Sequence, residues 1–127
     1  MVKLVAIDLD DTLLDSGLKI ADNCLQAINE VQQQGILVTL ATGRMYRSAL
    51  PYARQLKVDV PLITYQGGLV KNSRSEEIIY YRPLPAKPAM EVIQFFRDNG
   101  VHYHTYRDDN LIMEMLTEEG RYYESLS

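Results

Sequence analysis

The sequence predicts an α/β fold, a partial doubly wound parallel sheet followed by the start of an α+β domain. Three short apolar runs lack polar alternation, as strands covered on both faces do. The two stretches between these runs carry apolar residues at helical spacing, so strand and helix alternate. This alternation predicts right-handed parallel crossovers. After Gly68 the pattern changes to short paired strands around a helix, which predicts a boundary there and domains 1–68 and 69–127.

The elements of the first domain follow from these patterns. The run Leu4–Ile7 predicts a strand that stops at a cluster of acids. A helix is predicted over about 20–34, because Ile20, Cys24 and Ile28 recur at helical spacing. The remaining predicted elements are a strand over 36–41, a helix with Ala49, Leu50, Ala53 and Leu56 on one face, and a strand over 61–65. Pro51 lies within this helix, where it either kinks the helix or marks a late start.

The second domain is predicted to open with an antiparallel hairpin, because two apolar segments flank the polar residues 71–77. The helix that follows is predicted to turn Val92, Ile93 and Phe96 inward. This helix is predicted over 89–99. Two strands over 101–106 and 111–115 are predicted to pair around Asp108-Asp109-Asn110, and a last helix is predicted over 118–126.

Composition narrows the function. The chain has 127 residues and a formal net charge of -4, so no basic surface predicts a nucleic-acid partner. Its one cysteine, Cys24, cannot form a disulfide within the chain, which is typical of a reducing compartment. The apolar run at the N-terminus is too short for a signal peptide or a membrane span. We therefore expect a cytoplasmic protein that binds neither nucleic acid nor membrane.

The strongest chemical signal is Asp8-Leu9-Asp10-Asp11-Thr12, which directly follows the first strand. Ligands of open α/β sheets bind at the carboxyl ends of the strands. Three acids there repel each other unless a cation lies among them, and carboxylate oxygens suit a hard cation such as Mg²⁺. One carboxylate can attack phosphorus, and the second, two residues on, can protonate the leaving oxygen and later deprotonate water. The alternative is an acidic turn without chemistry, which the preceding buried strand and Thr12 disfavour.

A second signal, Thr42-Gly43-Arg44, ends the second strand. The Thr42 hydroxyl can donate to a phosphoryl oxygen, Gly43 lets the backbone approach closely, and the N-terminus of the next helix favours an anion. A helix cap followed by a glycine turn is the alternative, and the acid cluster one crossover away favours the functional interpretation. At the end of the third strand, Gln66-Gly67-Gly68 is interpreted as an exit turn rather than a ligand contact.

These residues carry a family resemblance. Asp8-x-Asp10-x-Thr12 and Thr42-Gly43-Arg44 resemble the first two motifs of the haloacid dehalogenase superfamily. The order of elements over essentially the whole chain is similar to that of its Cof-like sugar-phosphate phosphatases. The resemblance implies a Rossmann-like core whose remainder is absent here, followed by part of a mobile α+β cap domain that selects the substrate.

The resemblance also implies roles for individual residues. Asp8 would be the nucleophile that forms an aspartyl phosphate, and Asp10 the general acid and base. The Asp8 side chain and the Asp10 backbone carbonyl would hold Mg²⁺. The assigned contacts to the phosphorylated small-molecule substrate are Thr12, Thr42, Gly43 and Arg44. Two departures from the family pattern are Asp11, where glycine is common, and Gln66, where asparagine is common.

Members of this family continue to about twice the present length, and the continuation supplies a lysine and an acidic pair that complete the site. The resemblance therefore implies that the metal is held weakly and that this chain alone is weakly active or inactive. It also implies that Leu4–Ile7 is an exposed apolar edge, which invites pairing with another chain. We expect the chain to self-associate through this edge or to pair with a missing C-terminal half.

Alternative functions are separated by specific residues. A receiver-type signalling module carries its phosphorylated aspartate at the end of the third strand, where this sequence has Ile63–Gln66 without an acid. The large insertion after the third strand disfavours a phosphomutase. A non-catalytic fragment, or one half of a two-chain enzyme, remains the alternative to a phosphatase. His102 and His104 share a strand face, but we expect no metal there because no third ligand is near.

Overall fold

Two compact units make up the chain in a computed structural model that describes residues 1–126, with Ser127 outside the described residues. The first unit is Met1–Arg82, and the second begins at Pro83. The elements of the first unit are β1 (Leu4–Ile7), α1 (Asp22–Gln33), β2 (Leu37–Leu40), α2 (Tyr46–Gln55), β3 (Pro61–Thr64), β4 (Leu69–Asn72) and β5 (Ile78–Tyr81). All seven were predicted from the sequence. The helix α2 begins before Pro51 and continues through it, so the late start is excluded.

Parallel pairing of the first strands positions the site. β1 pairs with β2 in parallel from Leu4 opposite Leu37 to Ile7 opposite Leu40. A parallel bridge between Ala41 and Ile63 then brings β3 alongside β2. The carboxyl ends of all three strands therefore meet at one edge, as the predicted α/β fold requires.

The apolar core of the first unit forms where α1 and α2 pack against these strands. Ala49 and Ala53 of α2 are fully buried, because their small side chains let the helix lie close to the sheet. Ile28 contributes the buried position of α1, as its helical spacing predicted. The buried apolar cluster comprises Leu9, Leu13, Leu14, Ile20, Ile28, Val38, Leu40, Tyr46, Ala49, Ala53, Leu56, Val58, Leu62 and Leu69.

The predicted hairpin belongs to the first compact unit. β4 pairs antiparallel with β3, with Leu69 opposite Thr64, and β5 pairs antiparallel with β4. The unit therefore extends to Arg82, whereas the predicted boundary lies at Gly68. The apolar pattern of a hairpin shows that two strands pair with each other but does not show which third strand they join. The division into domains 1–68 and 69–127 stays a prediction.

The second unit contains α3 (Ala86–Asp98), β6 (His104–Arg107), β7 (Asn110–Met113) and α4 (Glu118–Ser125). β6 and β7 pair antiparallel around Asp108 and Asp109, whose φ angles of 52° and 57° are those of a two-residue hairpin turn. Within residues 1–126, no helix combines the length and apolarity needed to cross a lipid bilayer.

One detail of α3 differs from the sequence prediction. Val92 was predicted to face inward but is 47% exposed. Ala89, Ile93 and Phe96 are half-buried instead, at the i, i+4, i+7 spacing of one helix face. Val92 lies beside that face rather than on it, because a helix turns by about 100° per residue.

The outer edge of β1 matches the sequence expectation. Among residues 1–126, β1 pairs only with β2. Leu4 is exposed, and no lysine or proline lies within the strand. An apolar strand with free backbone groups and no protecting charge is a template for pairing with another strand.

Leu4→Lys is expected to increase the monomeric fraction of this chain, because a charge on the open edge of β1 disfavours pairing through it. Light scattering at high concentration measures the effect. Ile79→Lys is the matched control, since Ile79 is an equally exposed apolar residue on β5. If the unsubstituted chain is already monomeric, or if only the control dissociates it, β1 is not the contact edge.

Candidate active site

Asp8 and Asp10 are presented at the surface by a loop that is anchored in the core. Asp8 follows β1, and its carboxylate accepts the Leu9 N–H at 2.8 Å. Leu9 and Leu13 are buried, and the Leu14 N–H donates to the Leu9 carbonyl at 2.9 Å, which closes the loop. The two apolar anchors hold the loop down, so both carboxylates remain exposed at the end of the strand.

Asp11 explains one departure from the family pattern. Its φ of 56° lies in the left-handed region, where glycine is favoured and aspartate is tolerated better than most residues. Asp10 before it is extended, with φ -71° and ψ 136°. Asp11 therefore adopts a conformation that glycine would adopt easily, and it places a third carboxylate in the loop with Asp8 and Asp10. Thr12 lies exposed in the same loop.

Thr42 lies at the adjacent strand end. The Ala41 N–H donates to the Ile7 carbonyl at 2.9 Å, and the Thr42 N–H donates to the Ile63 carbonyl at 2.9 Å. The end of β2 is thereby tied to β1 on one side and β3 on the other. Thr42 is buried, and its hydroxyl oxygen accepts the Arg44 N–H at 3.2 Å. Because that bond uses only the oxygen, the hydroxyl proton can still donate to an anion.

Arg44 is directed at Asp10. Its Nε and Nη2 donate to the two Asp10 carboxylate oxygens at 2.8 and 2.6 Å, a bidentate ion pair. Its Nη1 donates to the Ser48 hydroxyl at 3.2 Å, and the guanidinium carbon lies 5.4 Å from the centroid of the Tyr52 ring. The Arg44 side chain is only 8% exposed, against 48% for Asp10. Arg44 is thus a positioned group, fixed by contacts on three sides.

This ion pair changes the titration of both partners. The hydrogen bonds and positive charge of Arg44 lower the pKa of Asp10, and burial opposes them. The hydrogen bonds to Asp10 raise the pKa of Arg44. Asp10 is therefore held in its charged form while the pair is intact.

The sequence interpretation missed the partners of Arg44. It assigned Arg44 to the phosphate, whereas the structure pairs it with Asp10, Ser48 and Tyr52. A signal for two of these partners was present, because Arg44, Ser48 and Tyr52 recur at intervals of four residues along α2 and its preceding loop. The ion pair across 34 residues carries no such signal.

The described part of the site offers oxygen ligands of the kind a hard cation prefers, but too few of them to complete its coordination shell. Within the described residues, no group of three or more His, Cys, Asp or Glu side chains is arranged to hold a metal ion. The Asp10 carboxylate is already bound to Arg44. The Asp8 carboxylate and the Asp10 backbone carbonyl are oxygen donors of the kind Mg²⁺ prefers, and they require further ligands to complete a shell.

The end of β3 also reaches this edge. The Tyr65 N–H donates to the Arg44 carbonyl at 3.0 Å, and the Gln66 N–H donates to the Thr42 carbonyl at 3.3 Å. A Cβ at Gly43 would lie 2.3 Å from the Gln66 Nε2. The segment that the sequence suggested was an exit turn therefore covers Gly43.

A family model for haloacid dehalogenase-like hydrolases matches residues 5–125. The chain belongs to this family. The resemblance drawn from Asp8-x-Asp10-x-Thr12 and Thr42-Gly43-Arg44 is confirmed, and with it the expected fold.

Two curated proteins and one solved structure illustrate the similarity. A putative phosphatase of Streptococcus pyogenes is 33% identical over 113 residues, which cover 87% of this chain and 42% of that protein. A 5-amino-6-(5-phospho-D-ribitylamino)uracil phosphatase of Bacillus subtilis is 29% identical, with 86% and 44% covered. A haloacid dehalogenase-like hydrolase from Bacteroides thetaiotaomicron superposes with a TM-score of 0.87 at 27% identity, over 99% of this chain and 49% of that chain. The chain thus spans less than half the length of these relatives.

The two histidines of the second unit contact residues in and just before α4. His102 shares a hydrogen bond of 2.8 Å with the Thr117 hydroxyl, and the His104 ring packs 4.2 Å from the Tyr123 ring, centroid to centroid. The rings of the two histidines are 5.7 Å apart. Burial and the neighbouring His102 lower the pKa of His104. These contacts indicate packing between β6 and α4.

Arg44→Met is expected to raise the pKa of Asp10 towards its ordinary value and to lower stability by about 1 kcal/mol, because Asp10 is half-exposed and water replaces part of the pair. Asp10 has a lowered folded-state pKa, so the stabilisation is present above about pH 4 and is lost as the pH falls through that pKa. Carboxyl NMR titration and urea denaturation at pH 7 and pH 3 measure both effects. An unchanged Asp10 titration would contradict the ion pair.

His104 is expected to make stability fall as the pH drops below about 6.5, the ordinary pKa of histidine. Its folded-state pKa is lowered, so the unfolded chain takes up a proton first as the pH falls, and stability rises with pH across this window. Urea denaturation from pH 8 to pH 5 should show a steeper loss for the unsubstituted chain than for His104→Gln. The difference at pH 8, where the imidazole is neutral, measures the packing cost alone. Parallel pH curves would contradict the assignment.

Proposed function

We propose that this chain carries the nucleophile and part of the phosphate site of a magnesium-dependent phosphatase that acts on a small phosphorylated metabolite. The observation that carries the proposal is the exposed Asp8 carboxylate at the end of β1, one strand from the Thr42 hydroxyl. The hydrogen bond from the Ala41 N–H to the Ile7 carbonyl holds these two strand ends together. Membership of the hydrolase family supports the same reaction class.

Asp8 acts as the nucleophile in this proposal. A carboxylate oxygen of Asp8 forms a bond to phosphorus as the bond to the leaving oxygen breaks, which produces an aspartyl phosphate. Asp10 delivers a proton to the leaving oxygen and then accepts one from the water that hydrolyses the intermediate. Because Asp10 is paired with Arg44 in this structure, its carboxylate must leave the guanidinium before it can carry that proton.

Anion binding is assigned to the end of β2 and the loop after β1. The Thr42 hydroxyl donates to a phosphoryl oxygen, and Gly43 lets the backbone approach it closely. Thr12 and Arg44 complete the proposed set of contacts. Arg44 reaches the phosphate only if it exchanges Asp10 for the substrate, since its guanidinium is nearly buried against Asp10 and Ser48.

Magnesium would be held by the Asp8 carboxylate and the Asp10 backbone carbonyl together with ligands beyond those described. When bound, it would neutralise the negative charge of the phosphoryl group and of Asp8. Without it, the repulsion between an anionic substrate and the exposed Asp8, Asp10 and Asp11 opposes binding. The proposed activity therefore depends on a divalent cation.

The proposed substrate class is a small phosphorylated metabolite. The Bacillus subtilis relative is named as a phosphatase of a phosphorylated ribitylamino-uracil, which supports this class. The net charge of -4 disfavours nucleic acid as a partner. Together with the single Cys24, these properties support a cytoplasmic location.

A second candidate is a non-catalytic fragment or one half of a two-chain enzyme. The chain spans 42% and 44% of two relatives, and its acids do not form a three-ligand metal group among residues 1–126. The two candidates differ in whether the chain turns over substrate by itself.

Hydrolysis of p-nitrophenyl phosphate with Mg²⁺ tests both candidates. We expect slow release of p-nitrophenolate by the chain, none in EDTA and none by Asp8→Asn, because an amide is not a nucleophile for phosphorus. Asp15→Asn is the control, since the Asp15 carboxylate binds the backbone of its own turn at 2.8 and 2.9 Å. Measurable and equal rates for Asp8→Asn and the unsubstituted chain would refute Asp8 as the nucleophile. Turnover only after a C-terminal half is supplied would support the second candidate.

A further inference from the structure

We propose that the Gln66 carboxamide is a further substrate contact, which donates to the phosphoryl group beside Gly43. This inference rests on the proposed phosphate site at Thr42 and Gly43 and deepens it. It assigns a substrate-binding role to a residue that the sequence suggested was part of an exit turn.

The backbone at Gln66 is in an unusual conformation. Tyr65 and Gln66 have φ angles of 53° and 54°, and Gly67 follows at 87°. Side chains other than those of glycine, asparagine and aspartate rarely adopt the left-handed region, and two in succession are rarer. Residues held in such conformations cluster at ligand sites, where the strain places a group that function requires.

Hydrogen bonds fix this turn against the predicted phosphate site. The Gln66 N–H donates to the Thr42 carbonyl at 3.3 Å, and the Tyr65 N–H donates to the Arg44 carbonyl at 3.0 Å. The two bonds lie on either side of Gly43. The turn therefore cannot shift without disturbing Thr42-Gly43-Arg44, and the position of the Gln66 side chain is coupled to that segment.

The carboxamide occupies the space that a side chain at Gly43 would fill. A Cβ there would lie 2.3 Å from Nε2 and 3.0 Å from Cδ of Gln66. Gly43 therefore serves a second purpose besides backbone approach, because it admits the amide group of Gln66. A phosphoryl group that meets the Gly43 backbone would meet this amide as well.

The chemistry of the carboxamide fits an anion. Its NH₂ group offers two donors, and Gln66 is exposed. Arg44, the nearby cation, is engaged by Asp10 through both carboxylate oxygens. While that pair is intact, the anion depends on neutral donors, and the Gln66 amide supplements the Thr42 hydroxyl.

Inorganic phosphate with Mg²⁺ is the probe, and the backbone amide NMR signals of Thr42, Gly43 and Arg44 are the readout. We expect phosphate to shift these signals in the chain. Gln66→Leu keeps the size and removes both donors, so its dissociation constant should rise about tenfold, as for one hydrogen bond to a charged group. Gln66→Glu keeps the shape and adds a negative charge, so it should weaken binding further. Gln66→Asn keeps the amide and should lose less than either.

Gln55→Leu is the matched control, because Gln55 is an exposed glutamine at the end of α2. Unchanged thermal unfolding of the variants shows that the fold has been kept. Equal phosphate affinity for Gln66→Leu and the unsubstituted chain, with the same signals shifting, would overturn the role of Gln66 and leave the proposed function intact. No shift at Thr42, Gly43 and Arg44 in the unsubstituted chain would overturn the phosphate site and this inference together.

Discussion

The parallel pairing of β1 with β2 is the constraint on which the rest of the site depends. Its register ends with Ile7 opposite Leu40, and the next hydrogen bond joins Ala41 to Ile7. Asp8 and Thr42 are each the first polar group after these positions. A shift of the register by one residue would turn β2 over, so Val38 and Leu40 would exchange faces with the buried Thr39, whose hydroxyl donates to the Pro61 carbonyl. Burial of Val38 and Leu40 therefore also determines where Asp8, the proposed nucleophile, and Thr42, the proposed phosphate ligand, meet.

The Asp10–Arg44 ion pair at the same edge stabilises the nearly buried guanidinium, but it also keeps Asp10 from taking up a proton. Arg44 is nearly buried, and a buried guanidinium without a partner is costly, so Asp10 satisfies it in this arrangement. That pairing keeps Asp10 charged, whereas a general acid has to carry a proton. In the proposed reaction, an anionic substrate would offer Arg44 an alternative partner, and the exchange would release Asp10 for proton transfer. The two groups could therefore be paired with each other in the absence of substrate and separated when substrate is bound.

Open strand edges are the other consequence of the topology. Among residues 1–126, β1 is paired on one side, and β5, which pairs with β4, has all four residues exposed. The open edge of β1 lies on the strand that carries Asp8, so a strand that paired there would adjoin the proposed nucleophile. Association through this edge could therefore affect the proposed activity.

The sequence by itself determined the order of elements, the parallel fold and the candidate residues. Apolar runs and helical spacing are local signals, and the motifs around Asp8 and Thr42 are short enough to be read directly. Only the tertiary structure decided that β4 joins β3, that Arg44 binds Asp10 and that Gln66 covers Gly43. The last two join residues 34 and 23 positions apart. Such contacts follow from how strand ends converge in space, which no local pattern in the chain records.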